Sequence, residues 1–203
     1  MGHPNLGLVR PFSLIYKGIM RWISLYFFLL LPLGILPGCQ ANPSFNDASL
    51  SNARQAFAQG NYQMAERLFL QTLDQAKQAG ISDERVASIF YFLGELYRLK
   101  GENDQAEIYL WKALPIWAKT VGPTHPEMAK GLTSLSLIYE GKGEYEKALP
   151  LVKQALKVRE GAYGSDHPNI IPTLDQYANL LKQMNRTEEA EALIAKRRNV
   201  QPQ

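Results

Sequence analysis

The feature that most constrains this chain is a period of about 42 residues. The stretch GEYEKALPLVKQALKVREGAYGSDHP, residues 143–168, has weaker copies on both sides. Ala65, Ala106, Ala148 and Ala190 hold equivalent places in these copies, at a step that varies by no more than a single position. The turn glycines keep the same step: Gly60, Gly101 and Gly143, with Asn185 at the fourth place. After Gly, Asn is the residue that best tolerates a left-handed backbone. A constant step of this size marks an array of stacked units, each burying its apolar faces against its neighbours.

Each unit reads as two helices joined at the glycine. In the third, Leu132, Leu135, Ser136 and Tyr139 recur at helical spacing before Gly143, and Tyr145, Ala148, Leu149, Val152, Ala155 and Leu156 recur after it. The second unit has Phe90, Leu93, Gly94 and Tyr97, then Ala106, Leu110, Ala113 and Leu114. The fourth has Leu174, Tyr177, Ala178 and Leu181, then Ala190, Leu193 and Ile194. In the first unit Ser49, Asn52, Ala53 and Ala56 stand where later units carry large apolar residues, so a polar outward face and a capping role are expected. Glu188, Glu189, Glu191, Lys196, Arg197 and Arg198 give the last helix a charged face, and the three cations suit a helix C-terminus.

Punctuation between units is periodic as well. Thr124-His125-Pro126-Glu127 and Asp166-His167-Pro168-Asn169 lie one full period apart, and Pro43 shares their register. Proline suits a first helical turn, and Thr124 with Glu127 has the spacing of a capping box. Pro115, Pro150 and Pro172 fall within expected helices, where a missing N–H predicts a bend or a weak point.

Charge excludes one class of partner. Arg10, Lys17 and Arg21 are the only charges before Cys39, and without them the 22 lysines and arginines fall to the level of the 19 acidic residues. A near-neutral body lacks the concentrated basic surface that nucleic acid needs. The single cysteine permits no internal disulfide.

Residues 22–36, WISLYFFLLLPLGIL, carry no charge, follow Lys17 and Arg21, and precede Pro37-Gly38-Cys39. This is a signal-peptide layout, shorter than the roughly 20 apolar residues of a spanning helix and interrupted by Pro32 and Gly34. Leu36-Pro37-Gly38-Cys39 resembles the bacterial lipobox, which implies a lipid on Cys39 and removal of residues 1–38. Ordinary secretion with cleavage near Ala41 and an uncleaved anchor are the alternatives. Met20 makes a compact alternative start. In each case the basic residues lie before the apolar run, so everything after Cys39 is expected outside the cytoplasm. A tether of residues 40–46 reaches at most about 25 Å from the lipid.

Gly94, Tyr97, Gly101, Ala106 and Ala113 stand in places that resemble the tetratricopeptide repeat. The length of the step, His125-Pro126, His167-Pro168 and GEYEKALPLVKQAL are similar to the longer variant typified by kinesin light chain. The resemblance implies an all-α, right-handed solenoid of four helix-turn-helix repeats, at residues 47–81, 82–123, 124–165 and 166–200. It also implies a concave groove that binds proteins or peptides, lined by Leu50, Arg54 and Phe57, by Ser88, Tyr91, Glu95 and Arg98, by Lys130, Thr133, Leu137 and Glu140, and by Asp175, Asn179 and Lys182. Members that grip a peptide backbone often carry an asparagine ladder on these helices. Ser51, Phe92, Ser134 and Gln176 occupy those places here, so recognition is expected through side chains such as Tyr91, Arg98 and Phe57.

No catalytic constellation is present. His125 and His167 lie a full repeat apart, without the local spacing of a zinc motif, and the glycines are single and periodic, unlike a phosphate loop. No cofactor, metal site or enzyme activity is expected. The expected function is a membrane-anchored interaction scaffold in a bacterial envelope, with a protein partner near the membrane surface. The alternative is an assembly factor acting by self-association.

Overall fold

The computed structural model describes residue 45 and residues 47–200, which fall in one compact unit, residues 43–203. The leader, its alternative start at Met20, Cys39 and Pro43 lie outside the described residues. Within these there are eight α-helices and no strand: α1 (Asp47–Ala58), α2 (Tyr62–Gln78), α3 (Glu84–Leu99), α4 (Asn103–Thr120), α5 (Pro126–Gly141), α6 (Tyr145–Tyr163), α7 (Ile171–Gln183) and α8 (Thr187–Asn199). A single 3-10 turn, Pro168–Ile170, precedes α7. The helices pair as hairpins α1/α2, α3/α4, α5/α6 and α7/α8, each hairpin packs on the next, and α1 with α3 and α3 with α5 also touch directly. The first helices of the hairpins thus form one inner layer and the second helices an outer one.

The turns explain the register. Gly60, Gly101 and Gly143 have φ of 72°, 78° and 73°, and Asn185 has 58°, so the position demands a left-handed backbone in every hairpin. A second series went unread in the sequence: Gly80, Gly122 and Gly164 turn the chain between hairpins, with φ of 66°, 98° and 98°. Asp83, His125 and His167 cap the helices that follow. Each accepts a hydrogen bond from the backbone N–H two residues on, at 3.0, 3.3 and 3.0 Å. The cap expected at Thr124 is therefore His125, because Pro126 begins α5 and forces the residue before it into extended backbone.

The prolines divide in two. Pro115 and Pro150 lie inside α4 and α6, which nevertheless run on to Thr120 and Tyr163. The carbonyls left without a donor, of Trp111 and Glu146, belong to exposed residues and so can meet water. Pro172 is not interior. The 3-10 turn delays α7 to Ile171, placing Pro172 in the first turn, where no intrahelical bond is lost.

Packing follows the period. Ala65, Ala106, Ala148 and Ala190 are fully buried. Gly94 lets α3 and α4 close up: a Cβ there would stand 2.7 Å from Leu110 Cγ and 3.2 Å from the Ala106 carbonyl. Ala53 and Ala56 correct the capping picture of the first repeat, since both face inward in the first core cluster with Phe69, Ile89 and Leu93. Ala53 shares the register of Gly94, Ser136 and Ala178, which is small in every repeat, while the polar outward residue is Asn52. Phe45 is already buried in that cluster, with the Arg85 guanidinium 4.5 Å above its ring, so packing begins within residues 39–46.

Two polar clasps tie successive hairpins. Tyr97 Oη donates to Glu66 at 2.6 Å and Lys100 donates to the same carboxylate at 3.2 Å. One repeat on, Tyr139 and Lys142 hold Glu107 in the same way, and Lys142 also reaches Asp104 at 2.8 Å. At the third junction the same register positions are Leu149, Leu181 and Met184, which join the C-terminal core cluster. One position thus does its work by charge twice and by burial once.

Candidate functional site

The inner layer opens into a groove of about 570 Å³ between α1, α3, the end of α4 and the start of α5. Leu50, Trp117 and Val121 supply its apolar floor, and Arg54, Ser88, Glu84 and Glu127 its polar walls. Trp117 is held there by the core, at 1% exposure, and packs on the Tyr91 ring at 5.6 Å. Arg54 lies 5.4 Å above the Phe92 ring, and among the described residues no carboxylate pairs with it. Arg85 is committed elsewhere, bridging Asp83 and Asp47 at 2.6 and 3.1 Å.

The residues assigned by register sort into three kinds. Arg54, Lys130, Leu137, Asn179 and Lys182 are exposed, with Ser88 half-buried beside Arg54. Others are engaged: Arg98 pairs with Glu95 through two hydrogen bonds at 3.1 and 2.9 Å, Thr133 donates back to the Ala129 carbonyl at 2.7 Å, and Asp175 pairs with Arg197 at 2.6 Å. Glu140 accepts from Ser136 at 3.0 Å and from Gln176 at 2.8 Å. Leu50, at 3% exposure, is groove floor rather than a projecting contact. Phe57 and Tyr91, expected as contacts, are half-buried around Phe92, at 5.4 Å each. Burial first, then the nearby Glu95 charge, pushes the Tyr91 phenol up to about 12, against a hydrogen bond with Ser134 that lowers it.

Three places of the asparagine ladder are used for packing between repeats, while Ser51 is exposed and lines the first groove. Phe92 stacks on Phe69 at 5.3 Å, Ser134 is buried beneath Tyr91, and Gln176 ties α7 to α5. The basic tail is likewise structural, with Lys196 on Glu160 and Arg197 on Asp175.

A second groove of about 340 Å³ lies between α5, the end of α6 and the start of α7. Its lining repeats that of the first groove one period later. Trp117 becomes Arg159, Val121 becomes Tyr163, Glu84 becomes Pro126, Ser88 becomes Lys130, and Glu127 becomes Asn169. The walls contributed by the ends of the outer helices are what the sequence reading missed. The available signal was the exchange of Trp117 for Arg159 one period on. Among the described residues no three histidine, cysteine, aspartate or glutamate side chains gather as metal ligands.

Sequence comparison agrees with this hairpin array. The tetratricopeptide-repeat family model matches three overlapping stretches, residues 47–117, 85–161 and 127–203. The chain belongs to the tetratricopeptide-repeat family. No curated protein sequence matches it significantly. Among solved structures it is similar to BtubC (BKLC) from P. vanneervenii, at 21% identity and a TM-score of 0.63, over 73% of this chain and 61% of that one. It spans somewhat under two thirds of that protein. It is also similar to a protein of nearly identical TPR-like repeats from Podosopora anserina, assigned as a kinesin light chain. There the identity is 19% and the TM-score 0.61, over 91% of this chain and 86% of that one. A single-substitution variant of the latter aligns at 20% identity and a TM-score of 0.63, over 92% and 86% of the two chains. As a tetratricopeptide-repeat solenoid, the chain presents α1, α3, α5 and α7 on its concave side, and both grooves are lined by residues of these inner helices together with the ends of outer ones.

Proposed function

We propose that this tetratricopeptide-repeat protein is a lipid-anchored scaffold that captures a protein partner outside the cytoplasm, close to a membrane surface. The observation that carries the binding half is the first groove, an open concavity with a tryptophan floor and an arginine that has no carboxylate partner among the described residues. Aromatic and arginine side chains of this kind dominate protein interfaces. The anchoring half is supported by Leu36-Pro37-Gly38-Cys39 after a charge-free run, residues 22–36.

Arg54 and Ser88 are the side chains to change, since Tyr91 and Arg98 are bound into neighbouring contacts. Arg54→Glu combined with Ser88→Trp is expected to abolish co-purification of the partner from solubilised membranes while leaving the melting temperature within a few degrees. Undiminished capture contradicts the groove. Cys39→Ser is expected to move the protein to the soluble fraction, and unchanged membrane attachment contradicts the lipid anchor. Self-association is the second reading. Ile108 and Trp111, one turn apart on α4 and each 47% exposed, are the surface it would use. Light scattering of the purified chain separates the two readings: a monomer supports the first, and a dimer lost in Trp111→Ser the second.

A further inference from the structure

The two grooves share a register and differ in charge. The first carries Glu84 and Glu127 in its wall. In the second those positions are Pro126 and Asn169, so no carboxylate lines it, and the cations Lys130 and Arg159 do. Lys130 already has a partner, Glu127, at 2.6 Å. Arg159 has no carboxylate partner among the described residues, and its hydrogen bond there is to the Asn169 carbonyl, at 3.4 Å. Among the described residues the other half-buried arginines, Arg85, Arg98 and Arg186, each pair with a carboxylate at 2.6 to 2.9 Å.

A guanidinium taken partly out of water without a counter-charge is destabilising until an anion arrives. Burial accordingly pushes the Arg159 guanidinium down from its ordinary value, and only the tyrosines Tyr163 and Tyr91 act in the other direction. The first groove seats Trp117 at this position, fully packed, so the exchange to arginine gives up apolar burial there. The flanking walls are stiff. Three prolines border the space, and Tyr163 is stacked on His167 with ring centroids 5.3 Å apart. Walls already ordered lose little entropy on binding. A volume of about 340 Å³ is at the small end of ligand pockets and suits one or two residues of an extended chain.

We propose that the second groove receives an aspartate or glutamate side chain of the partner, with the Arg159 guanidinium gripping the carboxylate and Tyr163 and the prolines flanking the neighbouring residue. The planar fork of arginine matches a carboxylate through two parallel hydrogen bonds, which a lysine cannot reproduce. This rests on the reading of the chain as a binding scaffold, and it adds what the partner must contain: an acidic, extended segment.

The test is fluorescence anisotropy of the full-length chain with two labelled decapeptides, one of alternating aspartate and proline and one with asparagine for aspartate. The aspartate peptide is expected to bind at least tenfold more tightly. Arg159→Gln is expected to remove that preference, and Arg159→Lys to restore it only in part. Thermal unfolding of Arg159→Gln supplies an independent readout, since losing an unpaired charge should leave stability equal or raised. Equal binding of both peptides, or an aspartate preference that survives Arg159→Gln, overturns the proposal. So does attachment to phosphatidylglycerol vesicles through Arg159 without binding of the peptide, which would make the anion a lipid. If partner capture is still lost in the Arg54→Glu/Ser88→Trp variant while Arg159→Gln changes nothing, the scaffold reading stands and the acidic-segment site falls.

Discussion

Gly94 and Gly161 are both helical glycines, yet adding a methyl group should act on them in opposite directions. At Gly94 the new Cβ meets Leu110 Cγ at 2.7 Å and the Ala106 carbonyl at 3.2 Å, and the backbone atom cannot swing aside. Gly94→Ala is therefore expected to destabilise by about 1–3 kcal/mol, as overpacking does. At Gly161 nothing lies within 4 Å, so Gly161→Ala should stabilise by roughly 0.4–1 kcal/mol, chiefly by restricting the unfolded chain. Urea unfolding of the two variants checks both signs. Gly94 was legible in the sequence because its place recurs with Ser136 and Ala178, all small. Asn185 was legible for a similar reason, as the residue able to follow three glycines into left-handed backbone. The helix cap was not. Thr124 and Glu127 have the right spacing, but spacing alone does not reveal that Pro126 fixes His125 as the last extended residue.

At the scale of elements, the clasps between hairpins carry a pH dependence. Glu66 titrates below its ordinary value of 4.5, chiefly through the Tyr97 hydrogen bond, against burial and with help from Lys100. Burial raises Glu107, but bonds from Lys142 and Tyr139 outweigh it and the net shift is again downward. A carboxylate whose folded value is depressed adds stability above its unfolded value and loses it as pH falls through the folded one. Wild type should thus exceed Glu66→Gln by about 1 kcal/mol at pH 7, and the gap should close as pH drops below 4.5. Paired melts from pH 7 to pH 3 check it; a gap independent of pH contradicts the clasp. No such effect is expected at the third junction, where Leu149, Leu181 and Met184 replace the charges. Hairpin composition was legible from apolar spacing. Pro172 was misread because a 3-10 turn and a helix start share the same residues, and a constant period gives no sign of the delay.

For the whole molecule, the number of repeats, their order and the identity of the inner helices could all be read from the period, because register fixes which face each residue occupies. The grooves could be read only by half. Their inner walls, Arg54, Ser88 and Lys130, sit on the first helices and follow from register, whereas Trp117, Val121, Arg159 and Tyr163 reach the grooves from the ends of outer helices. That reach depends on how the hairpins cross, which is a property of packing rather than spacing. The central claim is that the partner lies along the concave side. Photo-crosslinking tests it most directly, with a benzophenone side chain placed singly at Ser88 or Lys130 on inner helices and at Gln71 or Lys112 on outer ones. Adducts to one partner are expected from positions 88 and 130 and none from 71 and 112. Adducts confined to 71 and 112 would contradict the claim.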